Sequence, residues 1–404
     1  MRRILSIGSM YPPHSEGGYE VAWRSNVRWL RDRGYAVRVL TSDLRLEDRP
    51  GPEDPDVHRD LRWYWQDYAF PPIGKLERLR LERDNAATLR RHLDQHRPDV
   101  VTWWGMGGMS LSLIEQVRRA GLPAIGHVGD DWMVYGPEVD AWIRPWSSRP
   151  LLGRVAESVS GVPTRVEMGA AALWHFVSES TRGKAARAWE LPKTTITPAG
   201  IDAGLFAALP EAEWGWRLLC AGRIDRRKGI DTAVRVLPLL PDEAVLEVVG
   251  DGDPDYSAEL RRIADRLAVG DRLRLAGSQP HERMAEVYGR ADAVLFPVRW
   301  EEPWGLVPLE AMAVGRPVLA TGTGGSGEYL DHERNCLAFP PDDAEALAAS
   351  LRRLAEDAQL RRRLRQGGLE TAALHTEEAF NEALRRSIEE DLPAWSRDGP
   401  RGAP

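Results

Sequence analysis

The sequence predicts an α/β protein made of two consecutive parallel-sheet domains. Two observations predict it. Apolar runs of strand length alternate with runs of helical period along most of the chain. The alternation pauses in a Pro- and acid-rich stretch at 201–214, which carries Asp202, Pro210, Glu211 and Glu213, and then starts afresh.

Residues 3–8 read as the first strand, followed by a turn-rich loop over 9–18. The next helix shows Trp23, Val27 and Leu30 at i, i+4 and i+7 and stops at Gly34. A strand at 36–41 comes next. Residues 45–60 are acidic and Pro-rich and read as a mobile surface loop. Residues 75–98 form a helix on which Arg78, Arg80, Arg83, Arg90, Arg91 and Arg97 interleave with Glu77, Glu82, Asp84 and Asp94. Strands at 99–103 and 123–128 flank a helix at 111–120, and 173–178 and 194–197 close the first domain. In the second domain, strands at 217–221, 244–249, 272–276 and 293–297 alternate with helices at 230–240, 256–267 and 281–290. From residue 342 the pattern is helical only. The expected domains are therefore 1–205 and 206–375, with a helix at 376–395 that could pack across either domain and a disordered Gly/Pro/Arg-rich tail at 396–404.

Composition bounds the function. A net charge of −7 over 404 residues argues against a nucleic-acid partner, since neutralising phosphates needs a basic surface. The two cysteines, Cys220 and Cys336, cannot build a disulfide framework or a cysteine zinc cluster, and they suit a reducing compartment. The longest apolar runs, such as 293–298, fall far below the ~20 residues a spanning helix needs. The start, Met1-Arg2-Arg3 and a short apolar stretch, breaks at Gly8, Pro12 and Pro13. It reads as a strand of a cytoplasmic protein rather than a leader.

Three segments carry chemistry. After the strand ending at 297, Glu302 stands in a loop and Glu310 inside the helix that begins near Gly305, because Pro308 is tolerated only in a first turn. The free N–H groups of that turn favour an anion, and the carboxylates can accept hydroxyls, so the pair suits a phosphorylated, polyhydroxylated ligand. The second segment is Gly222-Arg223-Ile224-Asp225-Arg226-Arg227-Lys228-Gly229. It places Arg223 and Lys228 at a strand-to-helix turn, where ligands gather in open α/β sheets and where a guanidinium and an ammonium suit a diphosphate. The third, Tyr11-Pro12-Pro13 to Gly17-Gly18, lets backbone approach a phosphate at a helix start. Each segment alone reads equally well as ordinary surface.

Taken together, these segments resemble family 4 retaining glycosyltransferases. Glu302 and Glu310 match an E-x7-E motif, and Gly222, Arg223, Lys228 and Gly229 match G-R-x4-K-G. Ala291-Asp292, Gly324-Gly325 with Glu328, Val177 to Arg182 and Pro198 to Asp202 fit as well. The resemblance spans residues 3–392, with 45–95 and 135–170 matching poorly. It implies the GT-B fold, two Rossmann-like parallel-sheet domains facing across a cleft, with the last helix crossing back to the first domain. It implies that Arg223 and Lys228 hold the diphosphate and that Glu310 binds the ribose. Glu302 and the backbone of Trp304, Gly305 and Leu306 would bind the donor sugar, and Gly17 and Gly18 would close over the diphosphate. Relatives carry an acceptor-side His near the strand at 123–128. In many relatives that His is followed by Asp. Aligning on the strand gives His127, whereas aligning on Trp132 puts Gly129 at the His position and Asp130 at the Asp, so His127 and Asp130 are both carried. Read plainly, His127 is a strand-end core histidine and Asp130 a turn cap. Pro303-Trp304 departs from the family's Gly-Phe, and Ala199 from its Asn.

The implied reaction moves a sugar from a nucleoside diphosphate of UDP or GDP type to a hydroxyl acceptor, a glycan, lipid or natural product. Configuration is retained, and no metal or cofactor takes part. The alternatives are a same-fold sugar-nucleotide epimerase or hydrolase, or a non-catalytic nucleotide-sugar binder. Gly322-x-Gly324-x-x-Gly327 mimics a dinucleotide fingerprint but lacks its acidic partner at a strand end, and resembles a glycine loop lining the donor pocket. Asp251-Gly252-Asp253 mimics a metal site without a third carboxylate nearby. On the acceptor side, Trp63, Trp65, Trp103 and Trp104, with Trp132, Trp142 and Trp146, offer faces for stacking, although packing explains most tryptophans. The arginines of 75–98 could make a weak peripheral contact with an anionic membrane.

Overall fold

The structure, a computed structural model, describes residues 2–14, 17–46, 54–63, 73–211 and 213–392. Trp65, residues 47–53 and the tail at 396–404 lie outside them. The chain divides into two compact units, Met1–Pro198 with Phe380–Pro404, and Ala199–Ala379. The division falls a few residues before the 205/206 boundary expected from composition, because Ile201 pairs with Thr376 inside the second unit.

The first unit holds a seven-stranded parallel sheet. Its strands are β1 (Arg3–Ile7), β2 (Ala36–Ser42), β3 (Val57–Leu61), β4 (Val100–Trp103), β5 (Ala124–Val128), β6 (Leu173–Phe176) and β7 (Thr194–Ile196), in the order β3-β2-β1-β4-β5-β6-β7. Strand β3 corrects the reading of 45–60 as loop alone. It pairs only with β2, at the sheet edge, and its His58-Arg59-Asp60 sequence gives no apolar run to betray it. The inner strands are apolar on both faces, as a sheet covered on both sides demands. Leu5, Ile7, Val101, Trp103 and Val128 are all buried.

The second unit repeats the plan with six parallel strands, β8 (Arg217–Ala221), β9 (Val245–Val249), β10 (Leu273–Leu275), β11 (Ala293–Phe296), β12 (Val318–Ala320) and β13 (Leu337–Ala338). Their order is β10-β9-β8-β11-β12-β13. In both sheets the first strand of the unit lies beside its fourth, so chain direction across the sheet reverses at β1/β4 and at β8/β11. Ligands of open α/β sheets bind beyond the carboxyl ends of strands at such a reversal. The helix expected over 230–240 is shorter, Ile230–Val236, because Pro238 closes it into a tight turn.

The last helix, Glu377–Arg386, runs on into a π-helical turn at Ser387–Asp391. Phe380, Leu384, Ile388 and Leu392, four residues apart, are buried in one cluster with Ile4, Trp23, Val39 and Trp104 of the first unit. Asn381 Oδ1 accepts from Asn26 Nδ2 at 2.9 Å. Burying four large apolar side chains contributes roughly 6–12 kcal/mol before ordering costs, enough to hold this segment on the sheet.

Candidate active site

In the second unit, β8 ends at Ala221 and the chain turns through Gly222, at φ +117°, into the segment carrying Arg223 and Lys228. Asp225 caps the short turn Arg226–Lys228 by accepting from Arg227 N at 2.7 Å. Burial pushes the Asp225 carboxyl up, but hydrogen bonds from Arg227 and the charges of Arg227 and Arg223 outweigh it and hold it below its usual range. Gly229 ends the turn at φ +64°, where a Cβ would lie 2.0 Å from the Pro297 carbonyl oxygen. The close approach of Gly229 brings the β8 turn against the end of β11.

From the other side of the reversal, β11 leads into Glu302. Lys228 Nζ donates to Glu302 Oε2 at 2.7 Å, with the two side chains 25% and 11% exposed. Trp300 Nε1 donates to the same oxygen at 2.8 Å. The glycine loop after β12 closes on this segment from a third side. Thr321 Oγ1 donates to Val298 O, Thr323 Oγ1 to Trp300 O and Gly325 N to Glu302 O, at 2.7, 2.6 and 2.7 Å. Gly324 makes the approach possible, since a Cβ there would meet Glu301 C and Glu302 O at 2.6 Å. Arg299 braces the floor by donating to Asp231 Oδ2 at 2.8 Å and to Asp342.

Gly305 is the N-cap of helix Leu306–Val314, at φ +87°. The first-turn amides of Leu306 and Val307 have no partner within the helix, and Pro308 has no N–H, so this end presents a partial positive charge. Glu310 lies one turn further and is buried. Tyr288 Oη donates to its Oε2 at 2.6 Å, and Oε1 bonds no described residue. Burial raises the Glu310 carboxyl above its usual range, against the hydrogen bond from Tyr288 and the charge of His281. Trp304 Nε1 donates to Ala199 O at 2.9 Å, and the ring packs on Tyr329 and His375. The two positions that depart from the family pattern, Trp304 and Ala199, thus touch each other. A phenylalanine in place of Trp304 has no N–H to make that bond.

In the first unit, Gly17 caps helix Gly18–Asp32, and its N–H donates to Glu20 Oε2 at 2.9 Å. His127 sits on β5 and is 2% exposed, ringed by Tyr19, Trp104 and Phe380. Its Nε2 lies 3.3 Å from Thr197 O, which can only accept, so that nitrogen carries the proton and the buried Nδ1 is left without a partner. Burial, aided by His175, pushes its pKa down to about 3. It is a neutral core histidine. Asp130 is half-buried after β5, accepting from Trp132 N at 3.0 Å and from Tyr135 Oη at 3.4 Å. Burial, with Asp131 beside it, pushes its carboxyl up to about 6. A raised carboxyl pKa stabilises the fold below the unfolded value of 3.8, and this contribution is lost as pH rises through about 6. Asp130→Asn is therefore expected to be more stable than wild type by about 3 kcal/mol at pH 8 and equal to it near pH 3.5. Thermal melts across that range check the sign. A constant difference at all pH values would contradict it.

Of the tryptophans, Trp103, Trp104, Trp132 and Trp142 are buried, which leaves Trp63 and Trp146 partly accessible. Asp253 caps helix Pro254–Arg266, and Asp251 accepts from Ser278 N, so both carboxylates have local work. Among the described residues, one group of metal-type side chains converges, His58, Asp60 and His92, with ligand atoms within 4.8 Å. Asp60 Oδ2 already accepts from His92 Nε2 at 2.8 Å and from Arg91 at 2.9 Å, an ion-pair network tying β3 to helix Lys75–His96.

Sequence reasoning named Arg223, Lys228, Glu302 and Glu310 but missed Tyr288, Trp300 and Arg299, which orient them. Trp300 was legible as a neighbour of Glu302. Tyr288 lies 22 residues from Glu310 on another helix, and no local pattern reveals it.

Residues 205–371 match the family model described as glycosyl transferases group 1, and residues 17–191 match the glycosyl transferase 4-like domain. The chain belongs to the GT-B glycosyltransferases of the family 4 type. This glycosyltransferase is similar to a GDP-mannose-dependent alpha-(1-6)-phosphatidylinositol monomannoside mannosyltransferase of Mycobacterium tuberculosis, at 28% identity over 388 residues, 88% of this chain and 90% of that one. It is also similar to a D-inositol 3-phosphate glycosyltransferase of Mycobacteroides abscessus, at 34% over 167 residues, 39% and 38% of the two chains. The fold is that of sucrose-phosphate synthase from Thermosynechococcus elongatus, with a TM-score of 0.72, 23% identity and 98% and 100% of the chains covered. It is equally that of Anabaena HepE in complex with UDP-glucose, at 0.69, 20%, 96% and 100%. No helix of the described residues is long and apolar enough to cross a membrane.

Proposed function

We propose that this glycosyltransferase moves a hexose from a nucleoside diphosphate donor to a hydroxyl acceptor with retention of configuration. One observation carries the reading. At the β8/β11 reversal, Lys228, Glu302, the Gly305-capped helix end and the glycine loop converge on one place. Arg223 and Lys228 take the diphosphate, and the Leu306 and Val307 amides add two fixed donors. Glu302, oriented by Trp300, accepts from sugar hydroxyls. Glu310, oriented by Tyr288, offers Oε1 to the ribose. On binding, the diphosphate takes over Lys228 from Glu302 and frees that carboxylate for the sugar.

The bond between the anomeric carbon and the phosphate oxygen breaks, and the acceptor oxygen bonds to the same face. The acceptor proton passes to the leaving phosphate. Negative charge grows on the diphosphate as the bond opens, and preorganised cations and amides there are worth most in the transition state. Asp130, the half-buried carboxylate after β5, is the better acceptor-positioning candidate than buried His127.

The full-length mannosyltransferase relative favours a GDP-linked hexose, and HepE a UDP-linked one. Incubation with GDP-mannose and UDP-glucose, with and without inositol phosphates or glycosylated phosphatidylinositols, tests the function. Nucleotide release that rises with acceptor, and an α-linked product by NMR, is the expected result. Release without glycoside, or a β-linked product, overturns it. Glu310→Gln is expected to weaken nucleotide binding about tenfold by calorimetry, the value of one hydrogen bond to a charged group. Unchanged binding would remove Glu310 from the ribose site.

A further inference from the structure

We propose that the exposed face of helix Pro150–Ser160 docks on an anionic lipid bilayer. Leu151, Leu152, Val155 and Val159 are 73%, 56%, 61% and 70% exposed. At 100° per residue they fill one arc of about 100°. The opposite side carries the buried Gly153, against Thr164 and Trp146, and the buried Ser160, whose Oγ donates to Val162 O at 3.3 Å. The helix thus turns Gly153 and Ser160 inward and its large aliphatic residues to solvent, the reverse of a water-facing helix. Single exposed leucines are ordinary, whereas four on one helical arc mark an interaction surface.

The charges around the arc decide the partner. Residues 144–160 carry Arg144, Arg149 and Arg154 against Glu157 alone, in a chain whose net charge is −7. Glu157 is occupied by Arg119 and Thr164 N. Arg149 and Arg154 are exposed and bond no described residue. An apolar arc flanked by unpaired arginines is the pattern of a helix lying in the headgroup plane of anionic lipid. Helix Lys75–His96 supports the same side. Its Arg83 donates to Val159 O and Ser160 O at 2.8 and 3.0 Å, and Leu76, 73% exposed, lies seven residues earlier on the same stripe. A second copy of the chain is the poorer occupant, since four aliphatic side chains fall well short of the about 800 Å² per partner that a stable interface buries.

Flotation of the full chain with phosphatidylcholine vesicles, with and without phosphatidylglycerol, tests the proposal. Wild type is expected to float with the anionic vesicles and to detach as salt rises. The combined L151S/V155S/V159S variant and the R149E/R154E variant are each expected to lose at least ~10-fold in partitioning, with melting curves unchanged because these side chains are exposed. Wild type that stays in solution, or a triple variant that floats as well, overturns the proposal. Equal flotation with neutral vesicles overturns its charge component. A lipid-free dimer that the triple variant dissolves assigns the surface to a second copy instead.

Discussion

Lys228→Ala is expected to lower kcat by about 10²–10³-fold while the protein folds normally, the cost of removing one preorganised donor from a developing oxyanion. The ammonium sits at the β8/β11 reversal, 2.7 Å from Glu302, which stands three residues before the Gly305 N-cap of helix Leu306–Val314. Its ion pair is only partly buried, so stability changes by about 1 kcal/mol or less. The same change leaves Glu302 with Trp300 as its remaining donor. A loss confined to KM would instead make Lys228 a ground-state contact, equal in substrate and transition state. Lys228→Arg separates charge from shape. A planar fork keeps the charge but cannot occupy the point position between Glu302 and the diphosphate, so partial recovery is expected. Steady-state kinetics with saturating donor decides between these outcomes.

Gly324→Ala is expected to be the most damaging single methyl in the site. Gly324 adopts φ +66°, ψ −143°, a region essentially reserved to glycine. The added Cβ would also lie 2.6–2.7 Å from backbone atoms of Glu301 and Glu302, which cannot yield as a side chain can. Strain and overlap together cost about 3 kcal/mol or more. The loop would relieve them by withdrawing from Glu302, breaking the Gly325–Glu302 and Thr323–Trp300 bonds. Activity should fall at least ~100-fold together with a drop in Tm. Gly322→Ala is the control. Gly322 also has positive φ, at +65°, but a Cβ there meets only Gly327 Cα at 4.0 Å, an ordinary contact, so the cost is only about 1–2 kcal/mol. If both variants behave alike, the packing of the loop on Glu302 is not what supports the site.

Much of this was legible in the sequence because the chemistry is local. Pro308 fixed where a helix could begin, and Gly305 and Leu306–Val314 follow from it. The apolar runs of the central strands stand out because both faces are buried. Residues that work through partners far along the chain were not legible. Lys228 and Glu302 lie 74 residues apart, and nothing near either one announces an ion pair. Edge strand β3 escaped notice because one charged, half-exposed strand resembles a loop. His127 and Asp130, three residues apart, could be ranked only once burial was known, since a histidine ending a strand reads the same whether it faces a ligand or a core.

The central claim is that the diphosphate of the donor binds where β8 and β11 diverge. A crystal structure of the complex with GDP or UDP tests it most directly. The expected result places the diphosphate within hydrogen-bonding distance of Lys228 Nζ and the Leu306 amide, the Lys228–Glu302 bond opened and the ribose on Glu310. A nucleotide bound with Lys228 still paired to Glu302, or seated on another part of either sheet, would contradict it.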